Sequence, residues 1–186
     1  MIEQKPMQDA RADARTAWVR GGLGDPAATP VRASVDAGFR SYWRVHRHDV
    51  AGLPKSVIVM DSPPDKEDVR PWLRMRALLE TAGVRVPNVL EQDADAGFLL
   101  LEDLGADTYL HVIDSDNADL LFDRAIGQLL KLQAMSPPTD LPAYDQEMLA
   151  RELRLFDEWF CGRHLGMNLD CDDMEALDSA YRVLIE

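Results

Sequence analysis

The stretch Phe98-Leu99-Leu100-Leu101-Glu102-Asp103-Leu104-Gly105 limits what this chain can fold into more than any other. Four large apolar residues in succession, entered through Ala96-Gly97 and stopped by an acidic pair, read as a short strand buried on both faces. The chain leaves it through Gly105 and enters a long helical region. This strand therefore marks the boundary between a part built on strands and a part built on helices.

The part before it alternates in the way strands do. Residues 7 to 20 carry a helical pattern with Trp18 and Val19 near its end, and Gly21-Gly22 is the expected terminator. After the loop Gly24-Asp25-Pro26 to Thr29-Pro30, the period changes to two. Val31, Ala33 and Val35 alternate with Arg32 and Ser34, and Asp36 to Arg40 is the turn. Tyr42, Trp43 and Val45 belong to a second strand with His46-Arg47-His48-Asp49 at its far end, and Gly52-Leu53-Pro54 turns the chain again. Ser56 to Met60 is a third, buried strand, so the three form an antiparallel meander. Pro63-Pro64 closes it. Asp65 is the expected cap of the next helix, with Pro71 near the start of its regular part and Gly83 at its end. Val84 to Leu90 leads into a fourth strand, Asp93 to Gly97 is a hairpin turn, and the buried stretch is the fifth. The order is β-β-β-α-β-β, then helices.

Beyond Gly105, Leu121, Ala125, Leu129 and Leu132 recur at helical spacing with Phe122, Ile126 and Leu130 beside them. That wide apolar stripe predicts a helix central to a lobe, ended by Pro137-Pro138. Leu149, Leu153, Phe156 and Phe160, with Trp159 adjacent, predict the next helix. Asp170-Cys171-Asp172-Asp173 reads as the capping turn of a last one, on which Met174, Leu177, Tyr181 and Leu184 form one stripe. The expectation is an α+β chain with residues 1–105 as one lobe and 106–186 as part of a helical one. The last helix runs to Glu186 without a cap or polar tail, which suggests a chain cut inside a larger domain.

Composition narrows the partners. No apolar run approaches the roughly 20 residues needed to cross a bilayer, and the first residues lack an apolar export segment, so the expected location is the cytoplasm. Cys161 and Cys171 are too few for a disulfide framework and are expected as reduced thiols. The net charge is −13, with 14 basic and 16 acidic residues through Gly105 but 6 and 17 after it. An acidic second half argues against nucleic acid, which needs clustered Lys and Arg. It fits solvated helix faces or a cationic substrate.

Several segments together resemble a known family: Ser41-Tyr42-Trp43-Arg44-Val45, Val59-Met60-Asp61-Ser62-Pro63-Pro64, Val86-Pro87, Leu99 to Gly105, and Trp159-Phe160-Cys161-Gly162-Arg163-His164-Leu165. They are similar to the aminoglycoside-phosphotransferase-like superfamily of protein-kinase-like fold. Within it they look most similar to the kinases that phosphorylate the anomeric hydroxyl of N-acetylmuramate and N-acetylglucosamine in cell-wall recycling. The resemblance implies a five-stranded lobe, a hinge and a helical lobe, with ATP and Mg2+ as cofactors and a sugar as substrate. It implies no nucleic-acid or membrane partner. It places Gly38, Phe39, Arg40 and Ser41 in the loop over the phosphates, Met60 on the third strand, and Glu102, Asp103 and Leu104 at the hinge. The backbone groups of Glu102 and Leu104 would pair with adenine. Trp159 and Arg163 would border the sugar pocket, whereas His111 reads as a helix surface residue.

Two departures stand against the family pattern. The third strand lacks the Lys that pairs with phosphates in protein kinases; Met60 or Asp61 stands there, and Arg40, Arg44 and Lys55 are the candidate cations. The catalytic loop, H-x-D followed after four residues by Asn, is missing, and so is a later metal-binding Asp. His46-Arg47-His48-Asp49 is the nearest lookalike, but it ends an early strand and has Pro54 where Asn is needed. No catalytic or metal residue is assigned, and this chain alone is expected to be inactive. The alternatives are a kinase for an aminoglycoside or choline-like cation, and a noncatalytic kinase-like module that binds a nucleotide or a protein.

Overall fold

The computed structural model describes residues 7–35, 38–47 and 55–186. Asp36-Ala37, His48-Asp49 and Gly52-Leu53-Pro54, which figure in the expected turns and the lookalike motif, lie outside the described residues. The chain divides into two compact units, Met1–Ser136 and Pro137–Glu186.

The first unit holds a five-stranded antiparallel sheet. β1 (Val31–Val35), β2 (Ser41–His46), β3 (Ser56–Asp61), β4 (Val89–Asp93) and β5 (Phe98–Glu102) lie in the order β1-β2-β3-β5-β4. Helix α1 (Met7–Leu23) precedes them, and α2 (Arg70–Thr81) is inserted after β3. This is the α+β, protein-kinase-like order expected. The apolar stretch of β5 is central and buried, paired to β3 through Ile58–Leu101 and Val59–Leu100 and to β4 on its other side.

The two-residue period of strands separates two cores. On one face Val45, Val57, Val59 and Leu100 pack under Val19, with Trp18, Leu23 and Trp43 at the margin, so α1 covers it. On the other, Met60, Leu99 and Leu101 pack with Val69, Trp72 and Leu73 at the start of α2. That second face also carries Tyr42, Arg44 and Ile58 by alternation.

Helix boundaries correct two expectations. α1 does not stop at Gly21-Gly22 but runs to Leu23 and ends at Gly24, whose φ is +62°. Packing Leu23 onto the sheet outweighs the roughly 1 kcal/mol that each glycine costs in a helix. Asp65 does not cap α2. A separate turn, closed by Lys66 N–H and Glu67 N–H to the Pro63 carbonyl, intervenes, and α2 begins after Val69 with Pro71 in its first turn. Its end at Gly83 (φ +76°) is as expected, with Val84 N–H reaching back to Leu79 O at 3.1 Å.

After β5 come the short α3 (Tyr109–Val112) and α4 (Ala118–Gln133). The stripe expected to be the centre of a lobe is not buried: no residue of α4 is, and Phe122, Ile126, Leu129 and Leu130 are each more than half exposed. Within the first unit, Lys131 Nζ donates from this helix to Gly83 O at 3.3 Å.

The second unit consists of α5 (Gln146–Leu155), a π-helix (Phe156–His164) and α6 (Cys171–Ile185). The single helix expected through Phe160 widens at Phe156 into i→i+5 turns, and Phe156, Phe160 and His164 stack in series at 5.3 and 5.6 Å. Asp145 caps α5 through Met148 N–H, and Asp170 caps α6 in a capping box with Asp173. Tyr181 on α6 is buried and donates to Asp157 at 3.2 Å, but Leu184 is exposed. Cys161 and Cys171 are free thiols, the first buried. Among the described residues no helix is long and apolar enough to cross a membrane.

Candidate functional site

α2 packs on its face of the sheet through Trp72 and Leu73, against Met60, Leu99 and Leu101. On the same face lies a cavity of about 350 Å³, lined by Tyr42 and Arg44 of β2, Ile58 of β3, Leu101 of β5, Trp72 of α2 and the 102–106 segment that follows β5. All of these belong to the first unit. The walls are mainly aromatic and aliphatic, and the volume suits a small planar ligand.

One ion pair shapes the floor. Asp103 turns its carboxylate back onto the sheet, where it accepts Arg44 Nε at 2.6 Å, Arg44 Nη2 at 3.0 Å, Ser56 Oγ at 2.7 Å and the Gly105 amide at 2.9 Å. Arg44 also donates to the Gly105 carbonyl at 3.1 Å. Gly105 adopts a φ of +97°, which a residue with a side chain rarely adopts. The Arg44 hydrogen bonds, helped by Ser56 and the Gly105 amide, hold the Asp103 carboxyl down to about 2. Arg44 is therefore committed to the hinge acid; of the three candidate cations it is the one neutralised inside the cavity.

The two hinge backbones expected at the site differ. Glu102 N–H donates to Asn88 O at 2.8 Å, and the Glu102 carboxylate accepts Asn88 N–H and Nδ2 and pairs with Arg85. Leu104 lines the cavity, and among the described residues its N–H has no hydrogen-bond partner.

The remaining candidates are scattered. Gly38 has a negative φ, and a Cβ there would meet nothing within 4 Å. Phe39 is 63% exposed. Ser41 Oγ accepts Trp43 Nε1 at 2.9 Å and so serves the sheet. Met60 is fully buried in the α2 core. Its neighbour Asp61, on the opposite face, is clamped by Arg11 Nε at 2.8 Å and Arg15 Nη1 at 2.7 Å from α1. Arg40 pairs with Glu67 at 2.5 Å, whereas Lys55 is exposed. In the second unit Arg163 lies over the Trp159 ring at 4.3 Å. His111 is exposed and shares a hydrogen bond with Thr108.

The sequence reading missed the Arg44–Asp103–Ser56 clasp and Trp72 as a wall. Arg44, Ser56 and Asp103 meet only through the pairing of β2, β3 and β5, which no local pattern records. The arrangement offers an apolar slot with the Leu104 backbone donor at its edge. Among the described residues no three His, Cys, Asp or Glu side chains gather in a metal-binding group.

Residues 30–184 match the APH phosphotransferase enzyme family. Proteins named N-acetylmuramate/N-acetylglucosamine kinase from several organisms are similar to this chain. The one from Pseudomonas aeruginosa is 46% identical over 154 residues, 82% of this chain and 44% of the relative. The one from Pseudomonas putida is 42% identical over 172 residues, 87% and 49%. The one from Neisseria meningitidis serogroup B is 41% identical over 141 residues, 74% and 40%. The chain thus spans less than half the length of the curated relatives it matches.

Proposed function

This chain belongs to the APH phosphotransferase enzyme family, and on that premise we propose that it carries the nucleotide-binding part of an ATP-dependent kinase. The acceptor is the anomeric hydroxyl of N-acetylmuramate or N-acetylglucosamine, and the setting is cell-wall recycling in the cytoplasm. The observation that carries the reading is the cavity beside the hinge, with its apolar walls and a Leu104 amide that has no hydrogen-bond partner among the described residues. The acceptor rests on the names of the similar proteins.

In this reading adenine lies between Tyr42, Ile58, Leu101 and Trp72 and accepts a hydrogen bond from the Leu104 amide. Asp103 and Arg44 do not touch the reacting atoms; they fix the backbone that presents that amide. Residues 1–105 form the nucleotide lobe and hinge, and 106–186 the first helices of a helical lobe, where Trp159 and Arg163 contact the sugar. Phosphoryl transfer needs chiefly positioning and charge neutralisation. ATP supplies the phosphoryl group, and magnesium would screen its charge. The described residues gather no ligand set for that ion, so no step is assigned to it.

The test is to incubate the intact protein with Mg-ATP and each amino sugar and to follow the products by phosphorus NMR. ADP and a sugar 1-phosphate are expected. Turnover only with an aminoglycoside or choline would replace the acceptor, and nucleotide binding without transfer to any of them would leave a binding module.

A further inference from the structure

We infer that Arg40, held by Glu67, is the phosphate-binding cation that the third strand lacks; the inference rests on the nucleotide reading of the hinge cavity. Any such site must offset the negative charge of a polyphosphate, and the described cations can be compared by what already engages them. Met60 and Asp61, the two residues at the strand position in question, are both buried. Arg11 and Arg15 are bound to Asp61 on the opposite face of the sheet, stacked on Phe98 and Trp43. Arg44 is bound into the hinge by Asp103.

Arg40 differs in place and in setting. Tyr42 and Arg44 of β2 both line the cavity, and Arg40, which immediately precedes β2, hydrogen-bonds the Tyr42 side chain. Arg40 therefore lies just beyond the Ser41 end of β2, which pairs with Asp61 and is the end away from Asp103 and the hinge. With the base held at the Leu104 amide, we place the phosphates toward that far end of the same sheet face. The guanidinium and the Glu67 carboxylate are each 29% exposed, open enough to meet a ligand and covered enough to be oriented.

Glu67 is itself built into place by Met60 to Pro64, which the hinge does not account for. Ser62 is fully buried; its Oγ donates to Glu67 O at 3.0 Å, and its N–H donates to Gly97 O at 2.9 Å. Glu67 N–H is tied to Pro63 O at 3.0 Å. The two prolines thus form a rigid turn whose product is one carboxylate aimed at Arg40. Glu67 is a positioning residue; Arg40 is the group that meets phosphate.

The test compares the affinities of adenosine and of Mg-ATP by titration calorimetry. The unaltered protein should bind Mg-ATP more tightly than adenosine. Arg40→Gln should erase about tenfold or more of that difference, since a charged hydrogen bond is lost, while adenosine affinity stays within twofold. The double variant Arg40→Gln/Glu67→Gln should show the same loss, and Arg40→Lys should recover part of it. Glu67→Gln should reduce the difference and Glu67→Asp restore it, with adenosine again unaffected. Recovery of the full difference in the double variant would mean that bare Glu67 repels the phosphates, and Arg40 would lose the role. Equal loss of adenosine and ATP would make the pair merely structural. If the unaltered protein binds neither ligand, the nucleotide reading fails and takes this inference with it.

Discussion

Asp103 accepts four hydrogen bonds and is almost wholly covered, with its side chain 5% exposed. Its folded-state pKa of about 2 lies below the ordinary 3.8, so the folded chain keeps this group charged where the unfolded chain would protonate it. The resulting stabilisation is complete above about pH 4 and is lost as pH falls through about 2. It amounts to about 2 kcal/mol. Asp103→Asn should cost about that much at pH 7, partly because Arg44 is left without its charge partner. The variant should also lose less stability than the parent between pH 4 and pH 2. Urea unfolding at pH 7, 4 and 3 measures both, and parallel pH curves for the two proteins would show that the clasp does not hold the hinge.

At the level of elements, two glycines that look alike in sequence should behave in opposite ways. Gly97, in the β4–β5 turn, has a φ of +73°, and a Cβ there would stand 1.9 Å from the Ser62 carbonyl oxygen. Gly97→Ala should therefore cost about 2 kcal/mol or more. Gly21 is helical with nothing within 4 Å of a Cβ, so Gly21→Ala should raise stability by about 0.5 to 1 kcal/mol. Thermal unfolding of both variants checks this, and a destabilised Gly21→Ala would mean that α1 is not helical there. The same pair shows what was legible. The strands, the hinge stretch, the Gly83 stop and the Asp170 cap could be read because alternation, burial and capping are local. The run of α1 through Gly21-Gly22 could not, because it depends on Leu23 meeting a sheet formed later in the chain. The π-helix was hidden for another reason: Phe156 and Phe160 fit an ordinary helix as well as a wider one. The exposure of α4 was equally unreadable, since an apolar stripe states that a face can be covered and not what covers it. At the candidate site, Leu104 lines the cavity beside the expected hinge, whereas the partners of Arg44 and Arg40 come from distant strands and turns.

Charge is distributed over the molecule as unevenly as apolar burial. Pro137–Glu186 carries 4 basic and 12 acidic residues, a net −8 in 50 residues, against −5 for the longer first unit. The first unit draws its stability from the buried central strands β3 and β5 and from ion pairs, Asp61 and Asp103, that bulk salt screens weakly. The second has few buried side chains, Cys161 and Tyr181 among them, and its Arg154–Asp178 pair lies near the surface. Self-repulsion should therefore weaken α5 and α6 more than the sheet, with the repulsion falling as the screening length shrinks from about 20 Å to a few ångströms. Raising salt from 0.02 to 0.5 M should slow amide hydrogen exchange in α5 and α6 and leave that of β3 and β5 nearly unchanged. Salt that instead speeds exchange in α6 would show that the Arg154 pairing with Asp157 and Asp178 outweighs the net charge. The acidity would then be a neutral property of solvated faces, with no cost to the fold and no claim on a cationic substrate.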